Sequence, residues 1–174
     1  MTAGKPLASR RIGIDIGRVL IGSDTDAPAS ESAPSMFGPD FLDAPAVPGG
    51  LAAVKELVRE ADEVHLVSKC GPKVQNRTER WLEAHGVYDL TELSPERVHF
   101  VRDRADKGPV ASRLRLDTFV DDRFDVLAGM PPLLRTRILF GPQKSKLLPL
   151  WAIRAETWLA ALRVIKAGLE SAIP

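Results

Sequence analysis

The chain has 174 residues, 44% of them hydrophobic, which suits one folded domain with its own core and excludes a chain disordered as a whole. Its 24 basic and 23 acidic residues leave a net charge of +1, so no broad field favours a nucleic-acid backbone or an anionic membrane. One cysteine, Cys70, excludes an intramolecular disulfide, no apolar run approaches the ~18 residues of a membrane span, and residues 1–11 lack the apolar centre of a secretory signal; a cytoplasmic protein is expected.

Residues 11–16 read as a first strand, apolar and β-branched, that delivers Asp15 at its end. Residues 22–48 carry five prolines (Pro28, Pro34, Pro39, Pro45 and Pro48) and no surviving period, so a long loop or flap is expected. Pro48-Gly49-Gly50 opens a helix with Leu51, Val54, Leu57 and Val58 on one face. Residues 63–68 form a second strand ending in Ser68. A helix from Val74 to His85 follows, stopped by Gly86. A third strand spans 97–102, and a short helix starts at Lys107, with Pro109 restricted to an early position.

Residues 117–121 form a fourth strand, which delivers Asp121 and Asp122. A short helix begins at Phe124, and residues 137–140 form a fifth strand. Trp151, Ala155, Trp158, Leu162, Ile165 and Leu169 recur at helical spacing, which predicts a C-terminal helix over 150–170. That stripe serves either the sheet or a homodimer seam. Strands alternating with helices predict a three-layer α/β, Rossmann-like domain around a parallel sheet of about five strands.

In an open parallel sheet, ligands gather at the C-terminal strand ends. An acid, a hydroxyl, a lysine and an acid pair are expected there in that order. Such a set suits phosphoryl transfer, where a carboxylate nucleophile needs a cation to screen an anionic phosphorus and magnesium takes oxygen ligands. Each residue alone has an ordinary explanation as a cap or a solvated charge. Cys70 has no histidine placed to activate it, and His65, His85 and His99 share no metal-ligand spacing.

The joint order resembles the haloacid dehalogenase superfamily of phosphatases and related hydrolases. Ile12-Gly13-Ile14-Asp15-Ile16-Gly17 is similar to its first motif, His65-Leu66-Val67-Ser68 to its second, Lys107 to its third, and Thr118-Phe119-Val120-Asp121-Asp122 to its fourth. The resemblance implies a magnesium-dependent phosphatase in which Asp15 is the nucleophile and a metal ligand. It implies that Ser68 and Lys107 bind the phosphoryl group. It further implies that Asp122, with Asp121 beside it, and the backbone carbonyl of Gly17 complete the metal site. Arg18 and Lys69, next to motif residues, are candidate anion binders. In these phosphatases the position of Gly17 carries an Asp that serves as general acid and base. Its absence leaves two expectations, a phosphomonoester phosphatase or a binding protein without turnover. Asp24 and Asp26 on the flap are candidate substitutes. No large cap fits between the motifs, so a bulky phosphorylated substrate is accommodated, or a partner completes the pocket.

Overall fold

A computed structural model describes residues 10–22, 35–144 and 147–170. Its sheet has six parallel strands: β1 (Arg11–Ile14), β2 (Glu63–Lys69), β3 (Val98–Val101), β4 (Thr118–Asp121), β5 (Thr136–Phe140) and β6 (Ala152–Ala155). They lie in the order β3-β2-β1-β4-β5-β6, which reverses direction at β1 and β4. Among the described residues the α-helices are α1 (Gly50–Glu60), α2 (Pro72–Ala84), α3 (Val87–Thr91), α4 (Lys107–Arg113), α5 (Phe124–Ala128) and α6 (Trp158–Glu170).

Central strands are covered on both faces, which is why β1 and β4 read as unbroken apolar runs rather than alternating ones. On one face Ile12, Ile14, Leu66, Val120 and Ile138 pack with Val54 and Leu57 of α1, Trp81 of α2 and Trp158 and Ile165 of α6. On the other, Val67, Phe119 and Leu139 pack with Val110 and Ala111 of α4 and Leu127 of α5. Gly13 is needed in β1 because a Cβ there would lie 2.5 Å from the buried Phe119 ring.

The C-terminal helix is shorter than its stripe predicts, and the sheet gains a sixth strand. Ala152–Ala155 pairs with β5 as an edge strand, so Trp151 and Ala155 are not on the helix. Residues 151, 155 and 158 fit a helical spacing, but buried Ala152 and Ala155 flank exposed Ile153 against the open edge of β5. The hydroxyl of Thr157 accepts from the Ala160 amide at 3.3 Å, which caps the helix start. Trp158, Ala161 and Ile165 enter the chain's own core, whereas the side chain of Leu169 lies outside the described residues.

Elsewhere the expected elements match within a few residues, apart from α3, which follows the left-handed Gly86 (φ 59°). The described part of the flap region is tied at its base. Gly22 N–H donates to the Pro45 carbonyl (2.7 Å), Val47 N–H to that of Leu20 (2.8 Å), and Ile21 bridges Ala46 antiparallel. Two indoles secure neighbouring backbone: Trp81 Nε1 donates to the Ala44 carbonyl (2.8 Å) and Trp158 Nε1 to that of Val19 (2.7 Å). No helix among the described residues is long and apolar enough to cross a membrane.

Candidate active site

Asp15 follows β1 directly, and its amide donates to the Val120 carbonyl of β4 at 2.9 Å. This bond sets the two strand ends side by side, so Asp15 meets Asp121 where the strand order reverses. Lys107 comes from the start of α4. That helix docks tightly: a Cβ on Gly108 would lie 2.7 Å from the Gly129 carbonyl oxygen, just past α5. The approach buries Lys107 to 2% exposure. Its Nζ donates to Asp15 Oδ1 and to Asp121 Oδ2, each at 2.7 Å. The second oxygen of Asp121 accepts from the Arg123 amide at 2.9 Å. Asp122 lies less deep, with Arg18 Nη1 3.5 Å from its Oδ2.

Burial raises the carboxyl pKa of Asp15 against the opposing pull of Lys107. Burial, with the nearby charge of Asp15, pushes Asp121 up to about 7. Asp122 is raised too, chiefly by burial and against Arg18. Burial disfavours the Lys107 ammonium, but Asp15 and Asp121 outweigh it and its pKa rises. Three carboxylates thus face two cations, an arrangement still too negative for its burial.

The donor set fits a divalent cation. One carboxylate oxygen from each of Asp15, Asp121 and Asp122 lies within 4.8 Å of the others. All are hard oxygen donors at one strand edge, the type magnesium prefers.

Of the sequence candidates, Asp15, Lys107, Asp121, Asp122 and Arg18 therefore converge. Ser68 is buried at the end of β2, the strand next to β1, but no hydrogen bond joins its hydroxyl to this cluster. Lys69 is exposed one residue further on. Asp24 and Asp26 lie outside the described residues. Gly17 is exposed, has no positive φ, and a Cβ on it would meet nothing within 4 Å. Neither backbone conformation nor crowding requires glycine there. By contrast Arg18 has φ 61°, a left-handed conformation uncommon outside glycine, and its amide donates to the Ile21 carbonyl at 2.8 Å.

Beside Asp122 opens a cleft of about 770 Å³, lined by Arg18, Pro45, Arg123, Phe124, Gln143 and Lys144 among others. A second cavity, about 530 Å³, lies at the opposite sheet edge near Arg115, Thr118, Arg135 and Ile165, away from the carboxylates.

Sequence reasoning missed Gln143. Its Nε2 donates to the carbonyls of Asp122 and Phe140, each at 3.0 Å, bracing the second acid from the loop after β5. The signal was available, since Gly141-Pro142-Gln143 follows a strand and so had to reach the same edge. The histidines stand elsewhere. His85 stacks on Trp81 and bonds its carbonyl. His65 bonds Glu63 and His99, at 2.9 and 3.0 Å. Burial pushes the Cys70 thiol up, away from nucleophilic use.

No protein-family model and no curated protein matches the chain. Solved structures do. The D,D-heptose bisphosphate phosphatase of B. bronchiseptica, in complex with magnesium and phosphate, superposes with a TM-score of 0.64 at 15% identity, over 91% of this chain and 99% of that one. A haloacid dehalogenase-like family hydrolase from Xanthomonas campestris gives 0.59 at 16% identity, over 95% and 99%. At such identities the likeness is one of fold, and the chain has the haloacid dehalogenase-like fold.

Proposed function

We propose that this protein is a magnesium-dependent phosphohydrolase acting on a phosphomonoester through an aspartyl-phosphate on Asp15. The observation that carries this reading is the Lys107 ammonium bonded to both Asp15 and Asp121, with Asp122 adjacent, at the switch point of the sheet. A fold neighbour that binds magnesium and phosphate adds support. Asp15, Asp122 and the Gly17 carbonyl would hold the metal, with Asp121 beside them. Bound there, magnesium would screen the negative charge between Asp15 and a phosphoryl group.

The rest is the work of the chain's own groups. Lys107 fixes the Asp15 carboxylate and, with Ser68, holds phosphoryl oxygens. Asp15 attacks phosphorus, the ester oxygen departs, and water then cleaves the acyl-phosphate to return Asp15. Arg18 and Lys69 supply charge to the anionic substrate. The wide cleft beside Asp122 suits a bulky one.

Gly17 favours one other reading, a fold-conserving binding protein without turnover. Phosphate release from a panel of phosphomonoesters, with magnesium or chelator, decides between them, with magnesium binding followed by calorimetry. Turnover that needs magnesium and vanishes in Asp15→Asn is the expected result. Magnesium binding without turnover of any phosphomonoester, and of acetyl phosphate as well, would establish the binding protein instead.

A further inference from the structure

Resting on the phosphohydrolase reading, we propose that Gly17 makes the site selective for phosphoryl donors whose leaving group departs as a stable anion, acyl phosphates above all, over alkyl phosphate esters.

The argument starts from what surrounds the bond that breaks. An alkyl ester releases an alkoxide whose conjugate acid is about as weak as water, so its departure needs a proton. Among the described residues, the lysine and each acid of the site are already held by a hydrogen-bond partner or face a cation. Lys107 is committed to Asp15 and Asp121. Both oxygens of Asp121 already accept hydrogen bonds. Asp122 faces Arg18. The three histidines are engaged away from the cluster. At Gly17, two residues after Asp15, there is open space where a carboxyl would fit, and the chain leaves it empty although the backbone does not demand glycine.

What the loop offers is a cation. Arg18 adopts its left-handed conformation beside Asp122 and lines the cleft. A guanidinium attracts a departing anion but does not protonate it.

The chemistry balances without a donor. Asp15 Oδ forms a bond to phosphorus while the phosphorus–oxygen bond to the leaving group breaks, and that electron pair leaves on oxygen as a carboxylate or another weakly basic anion. Water then bonds to phosphorus, the bond to Asp15 breaks, and its electron pair restores the carboxylate. One water proton stays on the released phosphate and the other passes to solvent.

The test is kcat/KM for acetyl phosphate, a series of substituted phenyl phosphates and glycerol phosphate, with wild type, Gly17→Asp and Gly17→Asn. In wild type, log kcat/KM should fall steeply as leaving-group pKa rises. Gly17→Asp should flatten that slope and raise the ratio of glycerol phosphate to acetyl phosphate turnover by ~10²–10⁴, the usual worth of general acid catalysis. Gly17→Asn fills the same space without a proton and should keep the steep slope. A shallow slope in wild type would overturn the proposal alone, since a donor must then come from elsewhere, Asp24 or Asp26 included. No turnover of even acetyl phosphate by folded wild type would overturn the proposal together with the phosphohydrolase reading.

Discussion

Lys107 answers two buried carboxylates with one charge, so its loss strands both. Lys107→Met should destabilise the fold by about 3–5 kcal/mol at neutral pH, as when one partner of a buried ion pair is removed. The deficit should shrink on acidification, because Asp121 already titrates near 7 and can be neutralised. Urea denaturation measures this, and a loss under about 1 kcal/mol would contradict the buried pairing. Two glycines of the same segment make a contrast. Gly13→Ala must displace the Phe119 ring and should cost about 1–3 kcal/mol. Gly17→Ala meets open space and should stay within about 0.5 kcal/mol of wild type; equal losses would refute the crowding argument. The acids and the lysine were legible because order along the chain and position after a strand fix an α/β edge. Arg18 on Asp122 and Gln143 on the Asp122 carbonyl were not, since both depend on how loops fold back over that edge.

The elements teach a similar lesson about α6. Its apolar stripe was visible, but spacing alone could not separate a first helical turn from an edge strand, because the four-residue step from Trp151 to Ala155 keeps both on one face of either element. The open edge of β5 decided the matter. Trp158 opens the helix and reaches across to the loop after β1. Trp158→Phe keeps an aromatic ring but loses the indole N–H and some buried volume, leaving the buried Val19 carbonyl without its donor, which should cost at least about 1–3 kcal/mol. A lowered urea midpoint with an unchanged slope is the expected signature. An unchanged midpoint would mean that this bond contributes nothing net.

For the whole molecule, pH acts at two distant places with opposite signs. His65 and His99 have lowered pKa values, His65 through burial against the pull of Glu63, and His99 through burial and then the neighbouring His65. His65 Nδ1 lies 3.0 Å from His99 Nε2, and its Nε2 lies 2.9 Å from Glu63 and 3.0 Å from the Arg97 guanidinium, which only donates, so in either tautomer a further proton would set two donors face to face. Arg11 and Arg113 oppose that proton too. The unfolded chain therefore takes up protons first, and this contribution is lost as pH falls below about 6.5. Asp121 does the reverse, gaining stability as pH falls from about 7. The difference in stability between wild type and His65→Asn, in chelator, cancels the aspartate part. Wild type should lose its advantage between pH 7 and 5, and a flat difference would refute the coupling. The parallel architecture was legible from alternating strand and helix signals. The histidine pair was not, because it joins adjacent strands that the sequence separates by a helical crossover.

The strand that bears Asp15 precedes the other five described strands along the chain and sits in the middle of the finished sheet, between β2 and β4. A ribosome adding roughly 5–20 residues per second exposes that acid on the order of ten seconds before Lys107 and Asp121 emerge. Through that interval Asp15 stays an ordinary solvated carboxylate with nothing to orient it. Trp158, whose indole ties the loop after β1 at Val19, follows later still, so translation lays down the acid, then the lysine that holds it, and only then this tie on the neighbouring loop.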